Sequence, residues 1–211
     1  MAYDLQEQEQ IDNLRAFWAR YGNFILTVLT VVLLAVAGYR GWGWYQAREA
    51  VAASAVYDEL RVAVNAKEPA KARQAADTLR DKHASTVYAA MGGLLEAQAH
   101  AQSGDNAAAR AALQWVVDKD KGEFGQLARI RLAGLLLDDK AYDQALALLP
   151  TDSAGAFAAA YADRRGDILL AQGKTDEARA AWRTALEGLE LRSALRPLVQ
   201  LKLDALGGTG A

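Results

Sequence analysis

The chain has 211 residues, no cysteine and a formal net charge of −2 at neutral pH. These facts exclude a disulfide framework, a thiol nucleophile, a thiolate metal site and the basic face by which nucleic-acid binders are known. Only three prolines, Pro69, Pro150 and Pro197, stand against an abundance of alanine, which is the composition of an all-helical chain.

The first twenty residues form an acidic leader, with Asp4, Glu7, Glu9 and Asp12 against Arg15 and Arg20. From Tyr21 to Tyr39 run 19 residues without a charge. As one helix these rise about 28 Å, close to the roughly 30 Å hydrocarbon core of a bilayer. A soluble core helix keeps a polar stripe. Here Phe24 to Ala37 is apolar on every face except at Thr27 and Thr30, whose hydroxyls are expected to bond back to the preceding turn.

Trp42, Trp44 and Tyr45 follow the apolar run, with Arg40 placed to snorkel; Trp18 and Tyr21 flank its other end. Such residues belong at a membrane interface, so a lipid bilayer is an expected partner. "AVA" at 35–37 fits a signal cleavage pattern, but a signal begins with a basic segment and this leader is acidic. A retained span is therefore the favoured reading, with cleavage as its rival. Arg15 and Arg20 on one side balance Arg40, Arg48 and Arg61 on the other, so charge sets no orientation.

Beyond the span, "QAREAVAASAVYDELRVAVNA" reads as a helix with Val51, Ala55, Tyr57, Leu60 and Val64 near one face. Gly38, Gly41 and Gly43 are expected to loosen its junction with the span. Pro69 suits the first turn of a helix over "PAKARQAADTLRDKH".

Three later segments align with one another: "LEAQAHAQSGDNAAARAALQWV", "RLAGLLLDDKAYDQALALLP" and "RRGDILLAQGKTDEARAAWRTAL". Their matching alanines, Ala109, Ala145 and Ala178, are 36 and 33 residues apart, bracketing the 34-residue tetratricopeptide period. The third copy resembles the tetratricopeptide consensus best. Gly166 and Ala178 are small where two helices cross, Gly173 takes the turn, and Trp182 is a large wedge above Ala185.

The first copy keeps Ala97, Gly104, Ala109 and Leu113, and the middle copy Ala133, Tyr142, Ala145 and Leu149. In the middle copy Lys140 replaces the turn glycine and Pro150 shortens the second helix. Such a unit cannot bury its apolar face alone, so neighbours must stack. "RPLVQLKLDAL" then reads as a terminal cap, and "GGTGA" as a disordered tail.

Reaction chemistry is hard to find in this pattern. His83 and His100 have no metal-type partners at fixed spacing, and His100 suits packing. "DDK" at 138–140 fits a helix end, "RRGD" at 164–167 an internal ion pair or a contact with an acidic peptide, and "SGDN" lacks the lysine of a phosphate loop. No cofactor and no enzyme activity is expected. Trp115 and Trp182 read as core wedges.

The acidic leader with "IDNLRAFWARYGN", the span, "GWGWYQ" and the closing "RRGDILLAQGKTDEARAAW" together resemble the YfgM family, ancillary subunits of the SecYEG translocon. The resemblance implies a bacterial inner-membrane protein with residues 1–20 as a cytoplasmic tail, 21–45 as span and aromatic collar, 46–206 as a periplasmic solenoid and 207–211 as the tail. It implies the SecYEG translocon, a membrane-anchored periplasmic chaperone of prolyl-isomerase type and exported client polypeptides as partners, with no nucleic acid. First helices line the concave face of a tetratricopeptide solenoid. By resemblance, Tyr88, Met91, Leu95, Phe124, Leu127, Arg131, Tyr161 and Arg164 are groove candidates. An anchored scaffold for envelope or pilus assembly, and a stress-response regulator acting through the tail, are the other readings.

The expected fold is thus all-α: a single N-terminal transmembrane helix, then a tetratricopeptide-like α-solenoid of helical hairpins closed by a C-terminal capping helix.

Overall fold

The computed structural model describes residues 2–152 and 155–207, with side chains from Ile11 onward. The acidic side chains before Ile11, and the tail from Gly208, lie outside the described residues. Every regular element among them is helical. The chain divides into two compact units, residues 1–51 and residues 52–211.

The first helix, α1, runs from Ala2 to Asn65. It passes unbroken through Gly38, Gly41 and Gly43, where a loosened junction was expected. Each helical glycine costs about 1 kcal/mol relative to alanine. Strong helix formers on both sides keep the ladder going, because extending a helix is far easier than restarting one. Thr27 Oγ1 donates to the Asn23 carbonyl at 2.7 Å and Thr30 Oγ1 to Leu26 at 2.8 Å. The two hydroxyls of the apolar run are thereby satisfied within the helix.

Within the second unit, the last turns of α1 join α2 (Pro69–Lys82), α3 (Val87–Gln102), α4 (Asn106–Lys119), α5 (Glu123–Asp138), α6 (Tyr142–Ala147), α7 (Ala158–Ala171), α8 (Thr175–Gly188) and α9 (Arg196–Ala205). Proline stands in the first turn of α2 and of α9, where its missing N–H is an orphan anyway. α6 is cut to six residues ahead of Pro150. On α1 the buried face is Ala53, Leu60 and Ala63, with Tyr57 and Val64 half-buried, a three-and-four spacing. Val51 and Ala55, expected on that face, are exposed, because they fall on the opposite side of the same helix.

One turn is used four times. Lys67, Gly104, Lys140 and Gly173 have φ of 56°, 82°, 60° and 79°. After each, the next N–H reaches five residues back: Glu68 to Ala63 and Asp105 to His100 at 2.9 Å, Ala141 to Leu136 at 2.8 Å, Lys174 to Leu169 at 2.9 Å. This left-handed cap satisfies carbonyls that a helix end leaves orphaned. The Lys67 turn reveals a hairpin beyond the three found by self-comparison, made from the end of α1 and α2. Its turn lacks glycine, and Leu60 stands where the others carry Ala97, Ala133 and Gly166, so the sequence match is lost.

Four buried clusters lie along the stack. The first joins Leu60, Ala76, Leu79 and Ala89, and the second Leu94, Leu113, Val116 and Leu132. The third joins Ala133, Leu149, Tyr161 and Ile168, and the fourth Leu169, Trp182, Val199 and Leu203. Half-buried side chains are shared between neighbours: Trp115 between first and second, Leu136 and Leu148 between second and third, Leu146 between third and fourth. Trp182 is the wedge expected of it, 2% exposed, whereas Trp115 is half-buried and spans two clusters.

Candidate interaction surface

Residues that could meet a partner fall into two groups, one on each unit. On α1, Phe24 to Ala37 is exposed throughout among the described residues. Trp18, Tyr21, Arg40, Trp42, Trp44 and Tyr45 are exposed as well. The Trp42 and Tyr45 rings lie 6.1 Å apart, and the Arg48 guanidinium sits 5.4 Å from the centre of the Trp44 ring. Arg48 is therefore the cation that joins the collar through a ring face. At the other end Phe17 and Tyr21 are 5.1 Å apart, and Trp18 covers Gly22.

On the solenoid, the turn residues provide a common ruler. Tyr88, Phe124 and Phe157 stand sixteen residues ahead of Gly104, Lys140 and Gly173. Met91, Leu127 and Ala160 stand thirteen ahead, and Leu95, Arg131 and Arg164 nine ahead. Offsets of three and seven put each trio on one face of its helix, Phe157 standing at the N-cap just ahead of α7. All nine side chains are half-buried, except that Arg131 is exposed. α3 packs on α5 and α5 on α7, so three such stripes are carried by adjacent helices.

Their anchorage differs along the stack. The Tyr88 ring meets Tyr57 at 6.0 Å, and Leu95 rests on the first cluster. Phe124 and Leu127 rest on the second, and Phe157 on the third. The Arg164 guanidinium leans toward α5, where a Cβ built on Gly134 would be 3.8 Å from Arg164 Cζ. Its Nη1 donates to Asp167 at 3.3 Å. Arg131 has no ion pair among the described residues.

Tyr161 does not belong to this surface. It is 3% exposed and built into the third cluster. It stands twelve ahead of its turn, the place held by Gly92 and Ala128, both buried. A shift of one helical position carries a side chain about 100° around, here from the face to the core. Burial pushes its hydroxyl above the ordinary tyrosine pKa, and Arg129 pulls the other way. Phe157, which the sequence reading missed, takes the aromatic place in that rung; its spacing from Gly173 was the available signal.

"RRGD" serves the fold. Lys202 of α9 donates to Asp163 at 2.7 Å and to Asp167 at 2.6 Å, with its ammonium 5.7 Å from the Trp182 ring centre. Arg165 donates to the Leu149 carbonyl at 3.0 Å. Burial raises the Asp163 pKa, opposed by the Lys202 hydrogen bond, while Asp167 adds to the rise. Asp105 of "SGDN" caps α4 through the Ala108 N–H at 3.0 Å. Among the described residues no three His, Asp or Glu gather as a metal site. The arrangement is an apolar and aromatic stripe edged by arginine.

A family profile described as a tetratricopeptide repeat-like domain matches residues 15–208. The chain is 33% identical over 211 residues to an ancillary SecYEG translocon subunit of Neisseria gonorrhoeae, covering 98% of this chain and all of that one. It is 28% identical over 201 residues to the protein of the same description from Escherichia coli, covering 95% and 96%. To that of Haemophilus influenzae it is 27% identical over 208 residues, covering 98% and 100%. No solved structure matches it.

Proposed function

This chain belongs to the tetratricopeptide repeat-like family of the ancillary SecYEG translocon subunits, and from that premise we propose that it is a membrane-anchored interaction subunit of such a translocon. The observation that supports this reading is an apolar helix exposed among the described residues, in a chain whose solenoid carries matching rows of half-buried side chains on adjacent first helices. α1 would be retained as the anchor in the bacterial inner membrane, with the leader in the cytoplasm and the solenoid in the periplasm. Trp18, Tyr21, Arg40, Trp42, Trp44 and Tyr45 would lie at its two interfaces.

The solenoid would receive a membrane-anchored chaperone of prolyl-isomerase type, or an exported chain on its way to one. Tyr88, Met91, Leu95, Phe124, Leu127, Arg131 and Arg164 are the proposed contacts, joined by Phe157 and Ala160. Anchoring beside the translocon raises the local concentration of the stripe, so weak individual contacts are sufficient. The arginine edge favours a segment with carboxylates next to its apolar anchors.

Photocrosslinking in intact membranes tests this reading. A photoreactive residue at Phe124, Leu127 or Ala160 should capture a periplasmic partner, and one at the exposed Gln114 of α4 should not. Translocon subunits should co-purify with the full chain. Equal capture from stripe and control positions, or native complexes free of translocon subunits, would overturn the proposal.

A further inference from the structure

A cavity of about 370 Å³ opens where the C-terminal turns of α1 and α3 meet the first turn of α2. Ala63, Val64, Pro69 and Ala99 give it an apolar wall, and Glu96 and His100 supply polar lining. It lies at the turn end of the first two hairpins and uses none of the stripe residues.

Glu96 is the unusual member. It is 7% exposed, and Arg80 donates to its Oε1 at 2.8 Å, while its Oε2 is buried with no hydrogen-bond partner among the described residues. His100 does not serve that oxygen: its Nε2 stands 3.7 Å from Oε1, and its Nδ1 faces Asp105 at 3.8 Å. A buried acceptor without a donor is costly, and a bound donor removes the cost. Two helix C termini, the negative ends of their dipoles, also meet at this cavity. The opposing N terminus of α2 is muted, since Pro69 has no N–H and the Glu68 carboxylate is paired with Lys71 at 2.7 Å. Lys67 and Arg73 stand exposed on the rim, where water screens them.

We propose that this cavity takes a lysine side chain presented by a flexible polypeptide. The methylene stem lies along the alanine, valine and proline wall, and the Glu96 carboxylate turns its unpaired Oε2 out of the protein to accept from the ammonium. The volume is at the low end of ligand pockets, about 300–1,000 Å³, which admits one long side chain with its local backbone but no folded element. A single free carboxylate oxygen matches the compact ammonium of lysine; an arginine fork requires a pair of acceptors in one plane.

The test uses the full chain in nanodiscs of neutral phosphatidylcholine, with fluorescence anisotropy of a capped glycine–serine–alanine peptide bearing one central lysine. The same peptide with norleucine or glutamate in place of lysine is the comparison. The lysine peptide should bind at least about tenfold more tightly than either. Glu96→Gln should reduce it to the norleucine level. Because that variant also strips Arg80 of its charge partner, Ala99→Leu provides a second arm: it fills the cavity from a half-buried helical position and should abolish binding with helicity unchanged. Equal affinity for lysine and norleucine, no lysine-peptide binding, or undiminished binding to Ala99→Leu would each overturn the inference.

Discussion

Replacing Gly166 with alanine pits helix propensity against packing. Gly166 lies inside α7, where alanine would ordinarily stabilise the helix by about 1 kcal/mol. Its missing Cβ is occupied by the Trp182 indole: a Cβ there would be 2.8 Å from Cε2, and nearer still to Cδ1 and Nε1. The ring is 2% exposed and its Nε1–H donates to the Asp163 carbonyl at 3.1 Å, so it cannot retreat without losing that bond. Overpacking of this kind costs about 1–3 kcal/mol. Leaving the buried carbonyl or N–H unpaired adds about 1–3 kcal/mol. Against the propensity gain, the net loss is about 1–5 kcal/mol, and about 2 kcal/mol is a conservative value within it. For a domain of this size each kcal/mol moves Tm about 2–4 °C, so a fall of about 4–8 °C is expected. Far-UV circular dichroism of the full chain in mild detergent measures it, because the solenoid provides the cooperative transition. In a Trp182→Leu background the same glycine-to-alanine change should become neutral or stabilising. A Tm unchanged or raised by Gly166→Ala alone would refute the reasoning, since the ring would then have room that the geometry denies it.

Further tests address the turns, the buried carboxylate and the stripe. Lys140→Gly should stabilise the fold by about 0.5–1 kcal/mol by relieving a left-handed lysine, and Gly173→Ala should destabilise it by about 1 kcal/mol, both read by urea unfolding. Asp163 has a folded pKa above its ordinary value of 3.8, mainly through burial. The folded state therefore holds the extra proton in the window from 3.8 up to the raised value, and this group adds stability as pH falls through that window and loses it as pH rises. Unfolding should accordingly show the unchanged protein gaining on Asp163→Asn between about pH 7 and about pH 4; a pH-independent difference would contradict the assignment. Arg131→Glu should leave helicity intact, as the side chain is exposed without an ion pair among the described residues, yet weaken capture of a periplasmic partner severalfold in the crosslinking assay.

The legible part of the chain was that in which spacing has only one solution. The uncharged run, the turn glycines and the tryptophan opposite a glycine fix the exposed apolar helix, two of the turns and the last hairpin. Lys140 could be read as a glycine substitute because the flanking Ala133 and Ala145 kept their places. Lys67 could not, since Leu60 and Ala76 break the small-and-large pattern around it. The stripe failed at one rung for a related reason. In "AFAAAYA" alanine fills five of the seven positions, so hydrophobicity does not distinguish one register from the next, and the large Tyr161 drew the assignment onto the core face. The tertiary contacts of Tyr161 with the α5–α6 pair decide it, and those lie far off in sequence. Glu96 was invisible for the same cause: its partner Arg80 is on another helix.

The sharing of Trp115, Leu136, Leu148 and Leu146 between adjacent clusters makes the solenoid a short linear chain of cooperative links. Disturbance passes from one hairpin to the next through those side chains and through bonds such as that of Arg165 to the Leu149 carbonyl, so melting should begin at an end and advance like a zip. The end held by α9 depends on Lys202, Arg196 and Arg179, whose donors reach Asp163 and Asp167, the Leu186 and Leu189 carbonyls, and the Leu206 carbonyl respectively. The domain can thus open its last link while the interior remains folded, and a damaged terminal hairpin would leave a shorter working solenoid in place of an unfolded one.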